Sequence, residues 1–450
     1  GYAVRWGEQI MKRYVLIIVA LFILILTLPD AQASNGGSLM PYVTTAMQQA
    51  EFWVGKLSQP DQLLMNRNQI AAFNQQTAAQ LPDTVYDLRR YPIELNRDKL
   101  AGLVQLPGKL ERSRYVNGRP PTSEYYAALA AQCNRAGIAA VTPVRYGFTV
   151  TRANMRTFPT ADRHTGQADD TEFDLMQETA FDPAEPLIIL HHSTDQAWFF
   201  VQTINYRGWL PASTVAVAAT RQEWLAYQQS TEFLTVIANK LKIDEREFAM
   251  GARLPLADRR MSSLLIGSMA AGGNYVVSLP VRGSNGQLAF ELAAVASDNQ
   301  VVEGALPYTR ANVIRQVFKL QGERYGWGGL WGGWDCSSLV LDVYRTFGFV
   351  LPRNADEQES SAGSTVNFAS GNRSALLRGL EAGAAVYMPG HTMIYLGEHD
   401  GRQYCIHALG GYSTPAGRVP VMRVVVSDLS LTLRNGTTFF NALNVGKKIQ

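Results

Sequence analysis

The order of apolar and polar residues changes character along the chain, and each change predicts a different kind of element. From about Leu39 to Gly137 the spacing is helical: Ser58-Gln59-Pro60-Asp61 opens a segment in which Leu63, Leu64, Ile70 and Phe73 recur at helix-like intervals. An irregular piece carrying Pro82, Pro92, Pro107, Pro120 and Pro121 follows, with no chemistry visible in it. From about Val141 to Ala218 the pattern shortens to runs such as Phe148-Thr149-Val150-Thr151, Leu187-Ile188-Ile189-Leu190 and Ala197-Trp198-Phe199-Phe200-Val201-Gln202. Pro, Gly and Asp break these runs, the signal of a small all-β unit. A second β-rich stretch runs from about Phe233 to Tyr308, with strands expected at 274–280 and 288–292 around Gly283-Ser284-Asn285-Gly286. After Thr309 a helical stretch leads into a Gly/Trp-rich loop, an apolar helix and then strands, an order that reads as α+β.

The expected fold class is therefore multidomain α+β. It comprises a helical accessory region over 38–140, two small SH3-like β-barrels over 141–220 and 228–306, and an α+β domain over 309–445. A length of 450 residues agrees, since it exceeds what one core sustains. The composition is globular, with 46% apolar and 18% charged residues, which excludes disorder and collagen-like structure. A net charge of +3 is too small for a dedicated nucleic-acid binder.

Lys12 and Arg13, the apolar run Tyr14 to Leu28 and Ala31-Gln32-Ala33 follow the order of a secretory signal over 11–33, with cleavage expected before Ser34. The run is shorter than the roughly 20 residues a membrane span needs. We therefore expect export, to a periplasm, without stable membrane insertion once the signal is cut; secretion, or tethering by an uncleaved signal, is the other reading. Cys133, Cys336 and Cys405 are then an odd number of thiols for an oxidising compartment. At least one stays free, and a Cys133–Cys405 disulfide is left open.

The loop Tyr325-Gly326-Trp327-Gly328-Gly329-Leu330-Trp331-Gly332-Gly333-Trp334 runs into Asp335-Cys336-Ser337-Ser338. Leu339, Val340, Val343 and Phe347 then make a helical stripe, which puts Cys336 at the mouth of a helix. Unpaired N–H groups and the positive end of the dipole are expected to lower its pKa and to hold an oxyanion. Of six histidines, His391, His399 and His407 follow it. His391 opens a strand, His399-Asp400-Gly401 is a turn, and His407 lies on the returning strand. A two-residue Asp400-Gly401 loop would put His391 and His407 on opposite faces; a three-residue loop starting at His399 puts them on one face, as diagonal neighbours. We expect the three-residue loop, with His399 solvated. His191 and His192 are expected to be ordinary histidines of the first β unit. His391 and His407 lack a carboxylate in ligand spacing, so no metal or other cofactor is expected.

The segment from Tyr325 to about Leu409 resembles the NlpC-type cysteine peptidases, a papain-like family of murein hydrolases. The resemblance rests on the Tyr-Gly-Trp-Gly-Gly loop, Asp-Cys-Ser-Ser, Leu351-Pro352-Arg353, Gly390-His391 before Tyr395-Leu396-Gly397, and His407. The upstream layout is similar to a subgroup with an N-terminal helical region and two bacterial SH3-like domains. The resemblance implies Cys336 as nucleophile, His391 as base and then acid, His407 as its orienting partner, and Tyr325 as an aid to the oxyanion. It also implies substrate contacts from Asp335, Ser337, Trp327 and the position of Asn354. Helix capping is the other reading of Asp335 and Ser337. Where relatives that recycle murein peptides carry an aspartate to hold a free L-Ala amine, this chain has Asn354, which brings no charge. The implied substrates are murein stem peptides or cell wall, cut between γ-D-Glu and meso-diaminopimelate. An amidase on the same fold and an inactive wall-binding scaffold are the other readings.

Overall fold

Six strands between 364 and 448 form one sheet, with largely continuous buried runs, and the stripe after Cys336 forms the helix that covers it. The computed structural model describes residues 39–108, 112–257 and 263–449; the expected secretory signal at 11–33 lies outside the described residues. Among the described residues no helix is long and apolar enough to cross a membrane.

The first β unit holds β1 (Arg145–Thr149), β2 (Ala153–Arg156), β3 (Gln177–Phe181), β4 (Pro186–His192), β5 (Trp198–Gln202), β6 (Arg207–Pro211) and β7 (Val215–Val217). They form an antiparallel sheet in the order β7-β1-β4-β5-β6-β2-β3. No ladder among the described residues joins β7 to β3, so the expected barrel is not closed by strand pairing. The second unit holds β8 (Phe233–Val236), β9 (Lys240–Ile243), β10 (Arg246–Ala249), β11 (Arg253–Pro255), β12 (Tyr275–Arg282), β13 (Leu288–Val295) and β14 (Val301–Glu303). Here a three-stranded sheet, β11-β8-β14, and two hairpins, β9-β10 and β12-β13, share one apolar core. Strands this short bury little alone, so the side chains between them supply the cohesion.

The helical region divides between two cores. Helix α1 (Arg67–Gln80) buries only Ile70, Phe73 and Thr77, too narrow a face to stand alone. Phe73 meets Phe349 edge-on at 5.2 Å, and Trp53 lies 5.3 Å from Tyr404, so this part joins the core of the last third of the chain. Leu88, Leu95, Leu100 and Leu129 pack instead with Phe148 and Trp209 of the first β unit. Cys133 belongs to that second core and Cys405 to the first, and both are buried free thiols. The disulfide left open above is therefore not made: the two cysteines sit in different cores.

In the last third, α2 (Arg310–Phe318) precedes the Gly/Trp loop and α3 (Cys336–Arg345) follows it. The sheet contains β15 (Ser364–Asn367), β16 (Ala385–Met388), β17 (His391–His399), β18 (Arg402–Thr414), β19 (Gly417–Asp428) and β20 (Val445–Lys448), in the order β15-β20-β16-β17-β18-β19. Leu339, Val340 and Val343 of α3 are fully buried together with Ile394 of β17 and Ile406 of β18. The helix start carrying Cys336 is thus fixed to the strands carrying His391 and His407.

Candidate active site

Helix α3 begins at Cys336 because Asp335 caps it. Asp335 is extended, its side chain accepts from Ser338 N–H at 2.9 Å, and Ser338 Oγ accepts from Asp335 N–H at 3.0 Å. Such a cap stabilises a helix by about 1 kcal/mol. The same carboxylate accepts a bidentate pair from Arg353, Nη2 to Oδ2 at 2.6 Å and Nη1 to Oδ1 at 3.1 Å, and a further bond from Gly328 N–H at 3.0 Å. Arg353 also donates to Ser337 Oγ at 2.9 Å and to Thr179 Oγ1 of β3 at 2.7 Å. Both partners are buried. Burial alone raises the Asp335 carboxyl; the Arg353 charge and its hydrogen bonds turn the balance and hold it below the ordinary range. Sequence reasoning placed Arg353 in a motif but gave it no task.

The first β unit braces this loop. Gln177 Nε2 donates to Gly328 O at 2.9 Å, and Arg152 Nη2 to Gly329 O at 2.9 Å. Gly328 and Gly329 have φ of 57° and 77°, and a Cβ on them would meet Gln177 Cγ at 2.7 Å and Ala180 Cβ at 2.9 Å. Glycine is required twice over, by conformation and by the closeness of β3.

The thiol departs from expectation. Burial and the Asp335 charge push Cys336 up to about 12, while hydrogen bonds from the backbone of Thr392 and Ser337 and the Arg353 charge pull the other way. The correction has a physical cause. The positive end of α3 is already met by the capping carboxylate, so the half-buried thiol sees an anion as well as the dipole.

His391 and His407 face each other. His391 Nε2 lies 2.7 Å from His407 Nδ1, and His407 Nε2 lies 2.8 Å from Ser427 Oγ. Phe439 packs 6.0 and 6.2 Å from the two rings. Burial drives His391 down to about 4 and His407 well below its ordinary value, so both imidazoles rest neutral. Each neutral ring has one donor and one acceptor nitrogen. With Nε2–H of each ring donating along the chain to Ser427, Nδ1 of His391 is left as the acceptor. His391 adjoins Thr392, whose backbone reaches the Cys336 sulfur. Ser427 was missed by sequence reasoning. It pairs with Cys405, two places from the Val425 that faces His407, and nothing local marks that diagonal.

The hairpin reaches this register by an unexpected route. His399 pairs with Arg402, so the loop is the two residues Asp400 and Gly401, with φ of 47° and 73°, a type I′ pattern. The three-residue loop is thereby corrected. A bulge between Tyr395 and Gly397 then shifts the ladder by one, to Tyr395 opposite Cys405 and Ile394 opposite Ile406. Gly397 has φ 125°, a value that favours glycine. His399 is half-buried against Phe52 at 5.1 Å and bonded to Lys56 Nζ at 3.0 Å, not merely solvated.

Tyr325 is buried, and burial followed by the charges of Cys336 and Asp335 raises its phenol. Trp327 is partly exposed, with its ring 5.9 Å from Phe173, which also lies 6.1 Å from Tyr325. Ser337 is committed to Arg353 and Asp335. Asn354 lines a cavity of about 330 Å³ that it shares with Glu178, Tyr206 and Glu357. There the Tyr206 hydroxyl donates to Glu178 and meets the Asn354 side chain. Among the described residues no group of three or more His, Cys, Asp or Glu side chains is placed to hold a metal ion.

Residues 322–415 match the NlpC/P60 family, and residues 162–211 match an SH3 domain of the SH3b1 type. The chain therefore contains an NlpC/P60-family domain with an adjacent SH3-type domain. An NlpC/P60 endopeptidase from Photobacterium damselae subsp. piscicida superposes with a TM-score of 0.70 at 19% identity, covering 92% of this chain and 98% of that one. Its likeness shows a shared fold. The Resuscitation Promoting Factor Interacting protein RipA, in a mutated form, gives a TM-score of 0.20 at 20% identity over 30% of this chain and 60% of that one. NlpC2 from Trichomonas vaginalis gives 0.24 at 14% identity over 65% and 99%. No curated protein matches the chain.

Proposed function

We propose that the protein is a murein stem-peptide endopeptidase that hydrolyses the bond between γ-D-Glu and meso-diaminopimelate through Cys336, His391 and His407. The observation that carries this reading is the chain His391–His407–Ser427, which leaves His391 Nδ1 as a neutral acceptor beside the strand segment that touches the thiol. A high thiol pKa and a low imidazole pKa favour a resting pair without charge. As Sγ bonds to the scissile carbonyl carbon, its proton passes to His391 Nδ1, and the carbonyl π electrons move onto oxygen. The Cys336 N–H at the helix start and the Tyr325 hydroxyl are the donors assigned to that oxyanion. Collapse breaks the C–N bond while His391 returns its proton to the leaving amine. Water, deprotonated by His391, then releases the acyl group from sulfur. His407 holds the imidazole and disperses its transient charge.

In this reading Asp335 and Ser337 position the helix start through Arg353, Trp327 walls the cleft, and the Asn354 cavity receives the amine end of the peptide. The β8–β14 unit is a second SH3-like module, and the 11–33 segment exports the protein to a periplasm. Mass spectrometry of digested muropeptides is the test. Release of L-Ala-D-Glu, lost in Cys336→Ala, is the expected result. Intact stem peptides would identify an amidase instead, and undiminished hydrolysis by Cys336→Ala would remove the thiol from the mechanism.

A further inference from the structure

The charges of Arg353 and Arg418 are both felt at the Tyr325 phenol, Arg324 precedes it in the chain, and the three arginines differ in one respect. Arg353 is occupied by Asp335. Arg324 is occupied by Glu172, at 2.8 and 3.0 Å. Arg418, near the start of β19, pairs with no carboxylate among the described residues. Its polar contact is a long one, Nη2 to Gly410 O at 3.5 Å, and its guanidinium lies 5.5 Å from the centre of the Phe173 ring.

Gly410 shows how closely these groups converge. A Cβ built there would lie 3.5 Å from Phe173 Cζ, 3.8 Å from Arg418 Nη2 and 3.8 Å from Tyr325 Cζ. Gly410 follows His407 by three residues on β18, and the charge of Arg418 is felt at the Tyr325 phenol, as is that of Cys336. The bare backbone at Gly410 leaves room between the guanidinium and the tyrosine. Phe173 backs the guanidinium and narrows the conformers it samples. An exposed arginine held in this way, with no carboxylate on its donor fork and only the long Gly410 contact to give up, suits a carboxylate bound in two parallel hydrogen bonds.

We infer that Arg418 is a specificity-determining residue that binds a carboxylate of the peptide lying in the cleft. The inference rests on the peptidase reading above. A stem peptide offers this chemistry from two sources, the α-carboxylate of D-Glu and the carboxylates of diaminopimelate. Arg324 and Arg353 each already hold a carboxylate, so Arg418 is the guanidinium of the three left to meet such a group.

The experiment measures kcat/KM for the full-length wild type, Arg418→Ala and Arg418→Lys on three soluble stem tetrapeptides. One is unmodified, one has the D-Glu α-carboxylate amidated, and one has the free diaminopimelate carboxylate amidated. Arg418→Ala is expected to lower kcat/KM on the unmodified peptide about 10- to 100-fold, the scale of a hydrogen bond between charged groups. Arg418→Lys, which lacks the fork, recovers only part of the loss. One of the two amidated peptides is cut equally by wild type and Arg418→Ala, and that peptide names the carboxylate. Equal losses on all three peptides, or no loss on any, overturn the inference while leaving the peptidase reading intact. A wild type inert on all three overturns both.

Discussion

Arg353 ties the start of α3 to the first β unit, and its removal has a calculable consequence. Arg353→Met keeps much of the side chain's apolar stem and deletes the charge. Asp335 then stays buried with Ser338 N–H, Gly328 N–H and the Ser337 hydroxyl, but without its cation. Breaking one side of a buried pair costs about 3–5 kcal/mol. Asp335→Asn strands the buried guanidinium and should cost a comparable amount. The double variant removes both charges, so its loss should fall short of the sum of the two by about 1–3 kcal/mol. Thr179→Val is the control: it deletes only the bond from the first β unit, about 1 kcal/mol. The assay is urea unfolding of the four variants, with hydrogen exchange of the 335–345 peptide to place the loss at α3. The pH dependence fixes the sign. In the wild type the Asp335 pKa is depressed, so its contribution is present above the unfolded value near 3.8 and is lost as pH falls through the folded value. In Arg353→Met burial wins and the pKa rises above the unfolded value, so the deficit should shrink as the solution is acidified and Asp335 protonates. Additive losses within about 0.5 kcal/mol, or a deficit flat from neutral pH to about pH 4, would refute the coupling.

Alkylation of Cys336 by iodoacetamide, with Cys336→Ala as blank, should rise with pH toward about 12 without a plateau near neutrality; a neutral plateau would reveal a preformed thiolate. His391, depressed to about 4, should keep kcat/KM high well below pH 6.5 and lose it as pH falls toward 4, while its stability contribution, full above the unfolded value of 6.5, falls away from there down to about 4; a midpoint near 6.5 in the kinetic profile would contradict this. Ser427→Ala leaves the buried His407 Nε2–H without an acceptor, costing about 1–3 kcal/mol in stability and lowering kcat more than it changes KM; an unchanged kcat would show that Ser427 does not position the pair. Asp342, half-buried and accepting from Trp334 Nε1 at 2.8 Å, has its pKa raised by desolvation to about 7. Its contribution is full below the unfolded value and is lost as pH rises to about 7, by up to about 1.4 kcal/mol per pH unit, so Asp342→Asn should flatten stability between pH 4 and 7.

Much of the site's local layout was legible in the chain. An Asp before a helical stripe places Cys336 at a helix start, because capping and amphipathic spacing act within a few residues. Asp400-Gly401 marks a hairpin for the same reason. The N-terminal helices were legible as helices. Their allegiance to two different cores was not, since it depends on which distant surfaces they meet.

Three matters were decided only in three dimensions. The first is parity. Side chains on a strand alternate with period two, so one extra residue inverts every face, and the residue that does so lies between Tyr395 and Gly397, not in the turn. Gly397 was its one local sign. The second is the brace around Asp335, whose donors come from Gly328, Arg353 and, through them, Gln177 and Thr179, some 150 to 175 residues away in the chain. The third is the state of the thiol. The sequence by itself determines that Cys336 stands at the positive end of a helix. Only the folded structure determines that the neighbouring carboxylate is buried and paired with Arg353, because solvation and charge depend on everything within a few ångströms and not on the order of residues.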